Sequence, residues 1–374
     1  YLMGIDPMNI SLVNQRIQEF SYIGMRNGWI EAAFWDIIGK MKGEPLYKIL
    51  GGKGGYVYPY ASTGSTHNHD QNKIREIVKR HQDNGFRGVK LRVKSAEIDP
   101  MVDFVGAARD AAGEEMDIMV DANQGWPVDL LDETPKWNVD FAIRFARSIE
   151  GFDVKWLEEP LNKGNFEGLS KLRRETKIPI AGGEMNSTWR EYRAMLDIGS
   201  LDIYQPDAIL AGGTYAGGIS MVYWLLKKIW THNKNTENKE DILKYSPHTW
   251  TTGLGFALAL QLVGVLNEQD RSLIEYPVEG SWRQEHWARF IKNDFTTDAE
   301  GRIKIPDEPG LGIEIDMNII KRFGKRIYNG TPANVARFTL FDRGLKQAIF
   351  LKNKKKEQEK RLEKAGFKIP EAPF

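Results

Sequence analysis

The chain contains no cysteine. Disulfides, thiolate nucleophiles and zinc–cysteine centres are therefore excluded. The lack of thiols fits a reducing compartment. Histidine is scarce, with six in 374 residues, so imidazole chemistry must come from a short list. Charge of one sign is also lacking. The 52 Lys and Arg nearly balance the 51 Asp and Glu, which leaves no basic footprint for nucleic acid. Long apolar runs are missing as well. The longest, 254–266, is interrupted by Gln261 and is too short to cross a bilayer. No secretory leader pattern is visible. The chain opens at Tyr1 rather than Met, so an N-terminal piece is expected to precede it.

What is present is the composition of a globular enzyme, 41% hydrophobic and 11% aromatic, enough for a large core. The length suits a barrel with an accessory domain. Residues 1–55 carry no barrel rhythm. Ile30, Ala33, Phe34, Ile37, Ile38 and Met41 recur at helical spacing, which predicts one apolar stripe. Gly43 and Pro45 end that helix. From Tyr56 the pattern becomes strand, loop, helix. Strands are expected at 56–61, 88–93, 117–121, 154–158, 178–184, 202–205, 243–246 and 272–275. Helices follow near 74–85, 101–113, 141–148, 167–174, 188–198, 215–231 and 254–266. Eight such units predict an α/β fold of the (β/α)8 or TIM-barrel type over 56–310. The polar stretch 231–241 is expected to be a solvated loop on the face away from the chemistry. The charged stretch 352–364 is expected to be a solvated helix or tail.

Three carboxylates organise the barrel pattern. Asp121, Glu158 and Glu184 each end an apolar run, one strand–helix unit apart. The C-terminal ends of barrel strands converge on one face. Three acids brought together without cations would repel. Oxygen donors with no Cys or His among them suit a hard divalent cation such as Mg²⁺. In the second strand, Lys90 and Arg92 share a side by alternation, and an interior-facing side directs both at the acids. The sixth strand ends at Gln205-Pro206-Asp207 and the seventh at Ser246-Pro247-His248. Asp207 can hydrogen-bond the His248 imidazole from the adjacent strand, fix its tautomer and raise its pKa. Glu275 ends the eighth strand and is expected to face His248 across the pocket mouth. It can orient a substrate oxygen or form a salt bridge with Lys90 or Arg92. His67, His69 and His286 fall in loops on the same face. His81 and His232 are expected to be structural.

This ordered set resembles the enolase superfamily, specifically its mandelate racemase and muconate lactonizing enzyme-like subgroup. The matching pieces are the helix 29–41 with Leu50-Gly51-Gly52, Lys90-x-Arg92, Val120-Asp121-Ala122-Asn123, Trp156-Leu157-Glu158-Glu159-Pro160, Gly183-Glu184, Gln205-Pro206-Asp207, His248, Glu275 and Pro309-Gly310-Leu311-Gly312. The resemblance implies a Mg²⁺ site made by Asp121, Glu158 and Glu184, with Glu159 behind it, and an Asp207–His248 dyad. It implies an N-terminal α+β capping domain, of which 1–55 is the remnant, and a C-terminal segment, 311–374, that returns to it. The superfamily abstracts a proton α to a carboxylate with a Lys or His base. One departure matters: the frequent Lys-x-Lys stands here as Lys90-x-Arg92. Arg is always protonated and makes a poor base, which disfavours a symmetrical two-base racemase.

The expected reaction is Mg²⁺-dependent dehydration of a sugar acid to a 2-keto-3-deoxy acid. The alternative is a racemase, epimerase or cycloisomerase working through the same enediolate. His248 is the expected proton carrier. Lys90 and Arg92 bind the carboxylate or oxyanion, with Lys90 a candidate second base, and Glu275 orients substrate. The loops 60–70, 123–132 and 276–287 are rich in hydroxyl, amide and indole groups, which suit a polyol. The expected partner is a small carboxylate, with neither nucleic acid nor membrane. A cytoplasmic homo-oligomer is expected.

Overall fold

The computed structural model describes residues 2, 5–21, 26–63, 69–126, 135–210, 218–279, 283–325, 331–342 and 344–366. Two compact units divide the chain, Tyr1–Ile315 and Asp316–Pro373.

The first unit holds eight parallel strands: β1 Pro59–Ser62, β2 Gly88–Arg92, β3 Asp117–Asp121, β4 Val154–Glu158, β5 Ile180–Gly182, β6 Ile203–Tyr204, β7 Lys244–Tyr245 and β8 Ile274–Pro277. Their order is 7-6-5-4-3-2-1-8, with each strand from β1 to β7 beside its successor in sequence and β8 beside β1. Among the described residues, no backbone ladder joins β7 to β8. Side chains bridge that seam instead: Ser246 Oγ donates to Leu273 O at 2.7 Å and Thr249 Oγ1 to Glu275 O at 2.8 Å. The result is a (β/α)8 barrel.

Strand alternation builds the interior in layers. Tyr60, Met119, Trp156, Ala181 and Ile203 pack together as one buried layer. Two residues further on, the same faces carry Ser62, Asp121, Glu158 and Gln205, all buried. The opposite faces, including Val89, Leu91, Ile118, Val120 and Leu157, belong to the larger core shared with the helices.

Local signals set the helix ends. Asp70 caps Gln71–Asp83 by accepting from Lys73 N at 3.0 Å, and Ile74, Ile77, Val78 and His81 form its buried face. Thr188 and Glu191 form a reciprocal capping box at the start of Trp189–Ile198, which stops at Gly199 in the left-handed region.

Several expectations require correction. Of the stripe predicted for the helix Glu31–Lys42, only Ile38 is buried. Ile37 is 45% and Met41 64% exposed, while Glu31, Ala32, Ile38 and Gly39 are buried. The helix is turned by two contacts that periodicity does not register. Glu31 accepts hydrogen bonds from Asn14 at 3.0 Å, Trp35 at 3.0 Å and the Ser220 backbone at 3.0 Å. Gly39 lies where any Cβ would overlap the Gly310 backbone. The expected loop 231–241 begins inside the helix Gly218–Asn235 and ends in the short turn Lys239–Asp241. Its side chains are stitched back, with Asn233 bonded to both N and O of Leu243 at 2.9 and 2.8 Å. Glu184 lies two residues past the end of β5, after Gly183 at φ 109°.

The chain returns to its N-terminal helices through Pro309-Gly310-Leu311. Leu46 N donates to Gly310 O at 2.8 Å, and Leu311 N donates to Asp36 Oδ1 at 3.0 Å. Gly310 sits at φ 80°, which favours glycine. The second unit contains the helices Met317–Phe323, Pro332–Arg337 and Leu345–Lys364, the last including the charged stretch.

Candidate active site

Lys90 is the hub of the barrel mouth. It is 1% exposed, and its Nζ lies 2.5 Å from Glu158 Oε1, 2.7 Å from Glu275 Oε1 and 3.6 Å from Asp121 Oδ2. Burial opposes its charge, but Glu158 and Glu275 outweigh burial and raise its pKa well above the ordinary value. Lys90 is therefore held as a cation.

The acids around it are differently supported. The other oxygen of Glu158 accepts from Gln205 at 2.8 Å and Trp156 at 3.0 Å. Asp121 accepts two bonds from Asn123, both at 2.8 Å. Burial and then Glu158 push its pKa up to about 7, against Lys90 and Arg92. Glu275 is fully buried. Burial would raise its pKa, but Lys90, His248 and a hydrogen bond from Ser62 at 2.7 Å bring it down to about 2. Of the two roles expected for Glu275, the salt bridge to Lys90 is the one observed.

His248 joins the other side. Its Nδ1 lies 2.9 Å from Asp207 Oδ2 and its Nε2 lies 3.5 Å from Glu184 Oε2. Asp207 is also fixed by the backbone N–H of Ile209 at 2.7 Å. Burial would lower the His248 pKa, but Glu184 and the Asp207 hydrogen bond push it up to about 10. Burial raises the Glu184 pKa, against the pull of His248.

Arg92 reaches the same mouth but is tethered. It donates to Thr63 O at 3.1 Å and Ser62 Oγ at 3.4 Å, and its guanidinium lies 4.7 Å from the Trp250 ring centroid. Trp250 in turn donates from Nε1 to Ser62 Oγ at 2.8 Å and Glu275 Oε1 at 3.0 Å.

Three participants, Ser62, Gln205 and Trp250, were given no role by the sequence reading. Ser62 and Gln205 carried a signal, since each shares a strand face with an interior residue. Trp250 carried none, because it follows the seventh strand in an irregular loop. Glu159 was placed behind the metal site. It is buried at φ 43°, and neither carboxylate oxygen has a partner among the described residues. Burial and then Glu184 raise its pKa well above the usual range. Gly125 leaves it room, since a Cβ there would overlap the carboxylate. Of the loop histidines, His69 accepts from Lys94 N at 3.2 Å and His286 is exposed beside Arg289. His67 lies outside the described residues. His232 bonds Asp241 O at 3.0 Å and serves structure.

Among the described residues, no three acidic or imidazole side chains already meet as a metal clasp. Protein cations stand between them: Lys90 between Asp121, Glu158 and Glu275, and His248 beside Glu184. The chemistry of the set nonetheless fits a hard divalent cation. Asp121, Glu158, Glu159 and Glu184 are all buried oxygen donors, and both oxygens of Glu159 are orphaned.

Residues 73–217 match the family model described as "Enolase C-terminal domain-like". This likeness to the enolase superfamily spans under half of the chain. The chain is 28% identical over 338 residues to the L-talarate/galactarate dehydratase of Salmonella typhimurium, covering 87% of this chain and 75% of the relative. It is 28% identical over 303 residues to the D-galactarolactone cycloisomerase of Agrobacterium fabrum, covering 79% and 72%. The crystal structure of the 3,6-anhydro-D-galactonate cycloisomerase from Zobellia galactanivorans superposes with a TM-score of 0.70. That match has 27% identity and covers 86% of this chain and 84% of that one. The chain is therefore similar to both dehydratases and cycloisomerases.

Proposed function

We propose that this chain dehydrates a sugar acid, an aldonate or aldarate, to a 2-keto-3-deoxy acid. The observation that carries the reading is the Asp207–His248 pair at 2.9 Å, set beside the buried acids and Lys90. Bound by Asp121, Glu158 and Glu184, Mg²⁺ would act as a Lewis acid on the substrate carboxylate.

The chain's own residues divide the rest. Asp207 holds His248 Nδ1, leaving Nε2 to face the substrate. His248 Nε2 takes the α-proton, and the electron pair passes into the carboxylate as an enediolate. Lys90 and Arg92 supply positive charge to the developing oxyanion. The enediolate then expels the β-hydroxyl, to which the His248 proton returns, so that water leaves. The resulting enol tautomerises to the 2-keto acid. One acid/base suffices when both groups lie on one face. Glu275 holds Lys90 and, with Ser62 and Trp250, orders the floor beneath the substrate.

The isomerase reading has its own support in the cycloisomerase relative and the solved cycloisomerase structure. A two-base racemase needs a neutral base opposite His248. Lys90, paired to Glu158 and Glu275, and Arg92, a guanidinium, are poor choices for that role. The test is incubation with a panel of aldonic and aldaric acids and Mg²⁺. Keto acid is read with a carbonyl reagent and α-exchange by solvent deuterium. Keto acid formed with loss of water supports dehydration. Exchange or ring rearrangement with water retained would establish the isomerase.

A further inference from the structure

We propose that the flank of the barrel, between the helix Gln71–Asp83 and β8, carries a second binding site for a small organic anion with a flat apolar body. A cleft of about 900 Å³ opens there, a size that suits a small molecule. Three cations line it, Lys73, Arg80 and Arg283, against one acid, Glu279. All three cations are exposed. Lys73 leans on Glu76 at 3.4 Å, an exposed pair of little strength. Among the described residues, Arg80 and Arg283 have no carboxylate partner.

The wall beneath the charges is aromatic. His81 meets Phe86 edge-on with centroids 5.6 Å apart, and Phe86 meets Tyr276 at 5.7 Å. Trp250, which also touches Arg92 and Ser62, lines the cleft too. An inorganic ion would use the cations and leave this wall bare. A wholly apolar molecule would use the wall and leave the cations unanswered. An aryl phosphate or aryl carboxylate uses both.

A second observation points the same way. His81 is 4% exposed, and neither ring nitrogen has a partner among the described residues. A buried polar group without a partner is destabilising. Burial, then Arg80, brings its pKa down to about 4, so the ring is neutral and offers one donor and one acceptor. His81 borders the cleft, so its ring senses a ligand seated against the helix. The acids and Lys90 of the barrel interior do not line this cleft, so the inference does not depend on the reaction assigned above. Trp250 is the wall shared with that interior.

The experiment uses the full chain labelled with ¹³C at histidine Cε1, titrated with phenyl phosphate and separately with inorganic phosphate. The His81 resonance, assigned by its loss in His81→Phe, is expected to shift saturably with phenyl phosphate. Inorganic phosphate should bind at least about tenfold more weakly. Arg80→Gln/Arg283→Gln should weaken phenyl phosphate by at least about tenfold, roughly 1.4 kcal/mol. Lys73→Glu, on an exposed turn, should weaken it as well and gives a second reading should the double variant fold poorly. An unmoved His81 resonance, equal affinity in the charge variants, or a shift confined to His248 would overturn the proposal.

Discussion

His248 Nε2 faces Glu184 Oε2 across 3.5 Å while its Nδ1 is held by Asp207. The imidazole is therefore clamped between two acids and stays protonated to about pH 10. A base must be neutral to accept a proton. Committing Glu184 to a divalent cation removes its negative field and adds positive charge nearby, and both lower the His248 pKa. Mg²⁺ should thus move the His248 titration down from about 10 toward neutrality, as read by histidine ¹³C NMR with and without the ion. A titration unaltered by saturating Mg²⁺ would dissociate Glu184 from the cation.

Stability should depend on pH in the metal-free protein. Asp121 has a folded pKa of about 7 against an ordinary 3.8, so the folded chain binds more protons between those values. Its contribution is fully present below about 3.8 and is lost as pH rises through about 7. His248 acts in the same sense, from about 6.5 up to about 10. Glu275 acts oppositely, but only as pH falls from about 4.5 to about 2. In chelator, urea unfolding should therefore show stability falling between pH 5 and pH 8. The slope is at most about 1.4 kcal/mol per pH unit for each proton. Asp121→Asn should flatten it, and a rising slope would contradict the burial of these acids.

The dyad should behave as a unit in turnover. His248→Asn is expected to lower kcat by roughly 10²- to 10⁴-fold while leaving Mg²⁺ affinity intact. Asp207→Asn should also impair kcat, because an amide no longer fixes the imidazole tautomer. Near-normal turnover in His248→Asn would move the proton carrier elsewhere, with Lys90 next in line.

Glu31 should matter to stability although it lies outside the barrel mouth. It receives Asn14, Trp35 and Ser220, and burial raises its pKa. Glu31→Ala strands those donors and is expected to cost about 2–4 kcal/mol, seen as a lower urea midpoint. Glu31→Gln keeps one acceptor and should lose less. Equal losses in the two variants would show that volume, not hydrogen bonding, is what counts there.

Much of the fold and the site could be read from residue order. Period-two alternation is a local property, so Lys90, Asp121 and Glu158 fall on interior faces wherever their strands run. The parallel repeat then brings strand ends together, which is why Asp207 and His248 meet from neighbouring strands. Helix ends at Asp70, Thr188 and Gly199 are set by local contacts that extend over one turn. Other features depend on contacts between distant parts of the chain. The helix Glu31–Lys42 was turned away from its apparent stripe by Ser220, 189 residues away, and by the Gly310 backbone. Glu184 left its strand through Gly183 and came to rest on His248. Trp250 became the partner of Arg92, Ser62 and Glu275 through a loop path that no periodicity records. The choice among Glu158, Glu159 and Glu275 for the company of Lys90 was likewise decided in three dimensions. Buried charges take the nearest opposite charge or hydrogen bond, and which one is nearest is settled only when the barrel closes.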